Sequence, residues 1–79
     1  MRPRLSPDGS KVASTIELPT EDNVNVQIVI LDLETGGSNQ LTFEGTSNIA
    51  PVWSTDGTML TFASNRNGPH DLHRKPADG

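Results

Sequence analysis

The sequence predicts an all-β chain that contains a duplicated unit of short antiparallel strands. Residues 3–13 recur as residues 51–61, and this shift of 48 positions keeps Pro, Ser, Asp and Gly at fixed spacing. Apolar residues fall in short alternating or β-branched runs, and no stretch has the apolar spacing of a helix. Six prolines and seven glycines are spread along the chain and leave little room for a long helix. A repeat of this length is typical of modular arrays whose units stack on one another.

The first unit, residues 1–45, is predicted to contain four strands. They span residues 2–6, 11–16, 26–33 and 39–43. Residues 18–25 are mostly polar and include a proline, so they are predicted to form a loop. The strand at residues 26–33 has a β-branched run with apolar side chains on both faces, and we expect neighbouring layers to cover it on both sides.

The second unit, residues 46–79, is predicted to contain three strands and to lack the fourth. They span residues 49–54, 59–64 and 71–76. A short turn at residues 65–68 replaces the long loop of the first unit, because Leu72 corresponds to Ile28 with a shift of only 44. Residues 72–75 are Leu-His-Arg-Lys, and a strand this polar is not expected to lie between two tightly packed sheets.

Composition limits what the chain can be. Only 32% of its 79 residues are hydrophobic, with one Trp, two Phe and no Tyr, which is a thin supply for a self-sufficient core. The absence of cysteine excludes disulfides and thiolate metal sites but leaves the compartment open. A net charge of −4 argues against nucleic acid or an anionic membrane as the main partner. The longest apolar stretch, residues 28–31, is too short for membrane insertion, and no export signal is expected at the start of this sequence.

The Asp-Gly pairs, Asp8-Gly9 and Asp56-Gly57, are interpreted as structural hairpin turns. Asp can bond to nearby backbone groups, and Gly accepts a positive φ. A calcium loop would need more oxygen ligands at alternate positions than these segments offer. We therefore assign no metal and no anion to these turns.

His70, Asp71 and His73 are close in sequence, but neighbouring side chains on a strand alternate between its two faces. Because metal ligands must converge on one point, we expect a solvated strand and no metal site. Trp53 and Phe62 are interpreted as core residues, with stacking on a sugar or a peptide as the alternative.

Nothing in the sequence predicts catalysis. It contains no Gly-x-Ser-x-Gly motif for a nucleophile, and no cofactor-binding pattern is recognised. The candidate binding residues lie in one polar loop at the rim of the predicted sheets, since loops on a rigid scaffold commonly carry binding. They are Asn65, Arg66, Asn67 and His70. A tight Asn-Gly turn also needs no ligand to explain it, and that alternative stays open.

Several of these segments together resemble a known family. The two Ser-x-Asp-Gly turns, the apolar third strand ending near Asp32, and residues 40–43 and 63–68 are similar to TolB-like (WD-like) β-propeller repeats. Such repeats also occur in propellers attached to bacterial serine/threonine kinases and to prolyl-oligopeptidase-like enzymes. The resemblance covers residues 3–79 and implies four-stranded antiparallel blades around a channel, in a family that is often periplasmic. It implies no catalytic residue, because the related peptidases carry theirs in a different domain.

Taken together, the sequence predicts one partial β-propeller module over residues 1–79, with a first blade at 1–45 and an incomplete second blade at 46–79. The expected function is a non-catalytic scaffold or protein-binding module. Its expected partners are other copies of the chain, three if the ring has six blades as the resemblance implies, or further blades of a longer chain. The alternative is an accessory propeller part of a larger hydrolase or kinase that gates or senses ligand. A gene piece without a selected role is a third possibility.

Overall fold

A computed structural model of the chain describes residues 3–66 and 68–78, which form seven β-strands. The strands are β1 (Arg4–Leu5), β2 (Lys11–Pro19), β3 (Val24–Asp32), β4 (Ser38–Gln40), β5 (Asn48–Trp53), β6 (Met59–Ser64) and β7 (Asp71–Pro76). Sheet A has the antiparallel order β1-β2-β3-β4, and sheet B has the antiparallel order β5-β6-β7. The predicted all-β class is confirmed. Within the described ranges there is no helix that is long and apolar enough to cross a membrane.

The two sheets have the same strand register. Val12 pairs with Leu31 in sheet A, and the residues at shifts of 48 and 44, Leu60 and Lys75, pair in sheet B. The same two shifts map β2–β3 pairs onto all six β6–β7 pairs, from Met59↔Pro76 to Ser64↔Asp71. The duplication read from the sequence is therefore also a duplication of backbone hydrogen bonding.

The two Asp-Gly turns repeat each other in detail. Asp8 accepts hydrogen bonds from the Ser6 hydroxyl at 2.8 Å and from the Ser10 N–H at 3.0 Å. In the second turn, Asp56 accepts the corresponding bonds at 2.7 and 3.0 Å, from the Ser54 hydroxyl and the Thr58 N–H. The glycine that follows each Asp has a φ of 76°, a conformation that other residues rarely adopt. Each turn is thus specified within about five residues.

The bounds of strands β1 to β4 differ from the sequence-based prediction. The β2–β3 ladder continues to the pair Pro19↔Val24, so the predicted loop at residues 18–25 is only residues 20–23. The extension is possible because exposed strand positions tolerate polar side chains. The first strand, predicted at residues 2–6, is Arg4–Leu5: it ends there because Ser6 already belongs to the Asp8 turn, and residue 2 lies outside the described residues.

The fourth strand, predicted at residues 39–43, is the shorter β4 (Ser38–Gln40). It ends early because the Thr42 hydroxyl, at 2.9 Å, accepts the Ile28 N–H that a backbone carbonyl would otherwise bind. The remaining bounds agree closely: β6 and β7 lie where the sequence places them, and β5 is displaced by one residue.

The hydrophobic core lies between the two sheets. Ala13, Ile28, Ile30 and Leu41 of the first half pack against Leu60 and Phe62 of sheet B, with the half-buried Trp53 beside them. Phe62 is fully buried, and the Trp53 indole N–H donates to the Arg4 carbonyl at 2.8 Å. Both aromatic residues therefore belong to the contact between the sheets, as predicted. The prediction that both faces of β3 are covered holds only in part: sheet B covers Ile28 and Ile30, whereas on the other face Gln27 is buried and Leu31 is exposed.

A buried polar cluster closes one end of this core. The Gln27 side-chain oxygen accepts hydrogen bonds from the Thr42 hydroxyl at 2.6 Å and from the Asn48 amide at 2.9 Å. The Asn48 amide also donates to the Val26 carbonyl, so the cluster joins β3 to the start of β5. The buried Asn48 Oδ1 has no hydrogen-bond partner among the described residues.

Replacing Thr42 with Val tests this cluster. The Thr42→Val variant keeps the side-chain shape but leaves the Ile28 N–H and one Gln27 lone pair without their partner. We expect it to lower the free energy of unfolding by about 1–3 kcal/mol, measured by urea denaturation. The same change at the exposed Thr55 is the control and should stay within about 0.5 kcal/mol of the parent. Equal stability of the two variants would contradict the assigned role of Thr42.

The Asp turns predict a specific acid sensitivity. Hydrogen bonds from the Ser10 N–H and hydroxyl lower the pKa of Asp8 to about 2, and the Ser54 hydroxyl and Thr58 N–H lower the pKa of Asp56 to about 2. Because both values lie below the ordinary 3.8, the ionised forms stabilise the folded state above about pH 4. That contribution disappears as the pH falls from about 4 to 2.

We therefore expect the melting temperature of the chain to fall between pH 4 and pH 2, and to fall less in the Asp8→Asn/Asp56→Asn variant. Thermal melts followed by circular dichroism at closely spaced pH values would measure this. The matched control, Glu21→Gln/Asp22→Asn, removes two charges from the exposed β2–β3 loop and should keep the parental pH dependence. The assignment is wrong if both double variants change the profile equally.

Candidate functional site

Three of the predicted rim residues, Asn65, Arg66 and His70, lie beside the segment that connects the two sheets, but Asn65 is used within the fold. Its side-chain oxygen accepts the backbone N–H groups of Thr46 at 2.9 Å and Ser47 at 3.0 Å, and its amide donates to the Thr46 hydroxyl at 2.7 Å. Gly45 has a φ of 76°, and a Cβ there would lie only 2.8 Å from the Asn65 oxygen. Asn65 therefore attaches the connecting segment to the end of β6.

Arg66 is held over the core by three groups. Its guanidinium forms an ion pair with Glu44 at 2.9 Å and lies 5.7 Å from the centre of the Phe62 ring. Its Nε is 3.5 Å from the Ser64 hydroxyl, and the side chain is only 21% exposed. These contacts stabilise the charge of Arg66 in its present position, and only a small part of the side chain is open to a ligand.

The two histidines do not converge. His70 is exposed, and its Nε2 lies 3.0 Å from the Ser47 hydroxyl. The His73 ring instead stacks on Phe62, with the ring centres 6.1 Å apart and Nε2 buried without a partner among the described residues. Over residues 3–66 and 68–78, no group of three or more His, Asp or Glu residues is arranged to hold a metal ion. Asn67, the fourth predicted rim residue, lies outside the described residues.

The structure thus brings Asn65, Arg66 and His70 together against residues 44–47, a segment that the sequence analysis did not single out. The partners are Glu44, Thr46 and Ser47, which lie 18 to 23 positions away in sequence. Such long-range pairing leaves no local signal in the sequence. Chemically, this arrangement stabilises the junction of the two sheets and presents few free polar groups.

Two adjoining hollows lie between the sheets near the Asp turns. They have volumes of about 400 and 290 Å³, and both are lined by Lys11, Ala77 and Asp78. The smaller hollow also includes Ile30 and Asp32, so one lysine stands with two carboxylates in its lining. This balance of charge does not favour an anionic ligand.

Sheet A has an exposed apolar surface on the side opposite the core. Ala13 and Ile30 point into the core, so the residues next to them in β2 and β3 point away from it. We call this surface the outer face of sheet A. It consists of Leu5, Val12, Ser14, Ile16, Val29 and Leu31. No member carries a charge; Leu5 is 60% exposed, Leu31 is also exposed, and the other four are half-buried.

Sheet B has a corresponding surface on its own far side. Leu60 and Phe62 point into the core, so their neighbours in β6, and the residues paired with them, point outward. This outer face of sheet B consists of Ile49, Val52, Thr61, Ala63, Leu72 and Arg74. Leu72 is 72% exposed and Val52 is 54% exposed. The described chain therefore presents two apolar sheet faces on opposite sides, a feature typical of interaction surfaces.

Comparison with known proteins gives a partial similarity to a peptidase. The chain is 30% identical over 70 residues to Dipeptidyl-peptidase 5 of Porphyromonas gingivalis. The similar region covers 86% of this chain but 10% of the peptidase, so the chain spans about a tenth of the length of that relative. No family model matches the chain. The similarity therefore concerns one segment of the peptidase.

Replacing Asn65 with Ala distinguishes a structural role from a binding role. The Asn65→Ala variant leaves the Thr46 and Ser47 N–H groups without their acceptor, and we expect the free energy of unfolding to fall by about 1–3 kcal/mol. Chemical denaturation measures the loss. Asn39→Ala, at an exposed position of β4, is the control and should have little effect. If the Asn65→Ala variant is as stable as the parent, the structural role is wrong and Asn65 is again a candidate binding residue.

Proposed function

We propose that the chain is a non-catalytic β-propeller module of the TolB-like kind, in which sheets A and B are consecutive blades. The relation between the sheets carries this proposal. Ile28, a core residue of sheet A, corresponds to Leu72 on the outer face of sheet B, with the shift of 44 positions. Leu60, a core residue of sheet B, corresponds to Val12 on the outer face of sheet A, with the shift of 48.

The face that sheet A uses in the contact is thus equivalent to the free face of sheet B, and the reverse also holds. Two equivalent sheets that meet in this way face the same direction, one behind the other. Blades in a propeller stack in this way around a central channel. A two-fold arrangement would instead bring the same face of both sheets into contact. The stacking sense and the duplicated register together support blades more strongly than an ordinary two-sheet sandwich.

The proposed role is that of a scaffold for protein–protein contact. Two apolar faces remain exposed on the described chain, and sheet faces of this kind are normally covered by a neighbour. We propose that other copies of the chain provide this cover and close a ring. If the ring has six blades, three copies complete it.

The similarity to Dipeptidyl-peptidase 5 favours a second candidate function. Here the sequence acts as an accessory propeller part of a larger hydrolase, and the outer faces contact further blades of the same polypeptide. The identity of 30% over 70 residues supports this candidate, although the chain corresponds to 10% of the peptidase.

Mass in solution separates the two candidates. For the scaffold, we expect sedimentation equilibrium of the 79-residue chain to give a multiple of 8.5 kDa, with three copies favoured. Because association stabilises the folded state by mass action, the melting temperature should rise with protein concentration. A folded monomer with a concentration-independent melting temperature would contradict self-assembly and favour the accessory role.

A further inference from the structure

We propose that two copies of this chain bind head to tail, with the outer face of sheet B of one copy on the outer face of sheet A of the next. This inference rests on the proposed function, since it assumes that the free faces bind other copies. It goes further by identifying which face meets which. It also predicts one ion pair between the copies.

The contact within the chain provides the template. Sheet A presents Ala13, Ile28 and Ile30 to sheet B, which presents Leu60 and Phe62 in return. If the next copy packs on sheet B as sheet B packs on sheet A, the outer face of sheet B takes the place of Ala13, Ile28 and Ile30. Its outer face carries Thr61, Leu72 and Arg74 at the equivalent positions.

The surface that receives them is the outer face of sheet A, which is equivalent to the face that sheet B turns toward the core. Leu5 and Val12 correspond to Trp53 and Leu60, and the pairs Leu5↔Val12 and Trp53↔Leu60 have the same register. Both surfaces of the proposed contact are therefore largely apolar. Because the two are different surfaces, the contact is heterologous, and repetition of it closes a ring if the rotation permits.

Arg74 is the one charged member of the two outer faces and is the most specific feature of the contact. Its equivalent in sheet A is Ile30, which lines a hollow together with Asp78. The equivalent of Asp78 is Glu34, since the bond from the Ala77 N–H to the Thr58 carbonyl repeats the bond from the Leu33 N–H to the Ser10 carbonyl. Arg74 of one copy is thus placed next to Glu34 of the following copy.

Charge complementarity favours this arrangement over its alternatives. A contact between two outer faces of sheet B places two Arg74 charges in one interface to which neither face contributes a carboxylate, which is unfavourable. A contact between two outer faces of sheet A leaves both Arg74 faces exposed. The head-to-tail contact covers both kinds of face and pairs Arg74 with a carboxylate.

Variants that block one face at a time test the arrangement. Leu5→Lys/Leu31→Lys blocks the outer face of sheet A, and Val52→Lys/Leu72→Lys blocks the outer face of sheet B. We expect each variant alone to sediment as a monomer, and an equal mixture of the two to form a dimer through the remaining pair of intact faces. Phe43→Lys is the control, because Phe43 is 71% exposed and belongs to neither face, and this variant should assemble as the parent does. Circular dichroism spectra matching the parent show that each variant is folded.

Charge reversal tests the ion pair. Arg74→Glu and Glu34→Arg should each weaken self-association about two- to fivefold, the usual effect of an exposed pair. The double variant, Arg74→Glu/Glu34→Arg, should restore it, because the reversed charges meet between copies.

The outcomes separate this inference from the proposed function. Association of either single-face variant on its own, or a mixture of both that stays monomeric at concentrations where the parent assembles, would overturn the head-to-tail contact and leave the scaffold role standing. Failure of the double charge reversal to restore association would overturn the Arg74–Glu34 pair. A parent chain that is monomeric at every concentration would overturn self-assembly itself.

Discussion

The contact between the two sheets, centred on Phe62, is the interaction on which the rest of the structure depends. Phe62 is fully buried, contacts the His73 ring and the Arg66 guanidinium, and packs in a cluster of six buried apolar residues within the described part of the chain. A core this small leaves most of the far side of each sheet uncovered, because every strand has two faces and the described residues form one contact between sheets. The exposed faces thus follow from the same packing that holds the sheets together.

The elements that the sequence predicts well are those specified by contacts between residues that are close in sequence. The turn around Asp8 is specified by Ser6, Gly9 and Ser10, all within five positions, and its copy around Asp56 has the same hydrogen bonds. Strands that run directly from such a turn, such as β6, begin where the sequence predicts. The duplication adds a second constraint. Because the spacing of the repeat is constant, the strand register of sheet A also predicts that of sheet B.

Contacts between distant residues explain what the sequence does not reveal. β4 ends at Gln40 because Thr42 reaches Ile28, 14 positions away, and the Asn65 side chain binds backbone groups 18 and 19 positions away. A polar loop residue with a structural partner looks the same in sequence as one that binds a ligand. The use of Asn65 and Arg66 within the fold is therefore visible only in three dimensions.

The polarity of β7 bears on whether this sheet can lie between two neighbours. The sequence suggests that Leu-His-Arg-Lys is too polar for such a position, yet two of these residues already lie in the sheet contact. His73 stacks on Phe62, and the Lys75 ammonium donates to the Leu41 carbonyl at 2.7 Å. Long basic side chains can bury their apolar stems while their charged ends reach an acceptor. A face with Leu72 and Arg74 can be covered in the same way, provided that the next sheet supplies an acceptor at the right place.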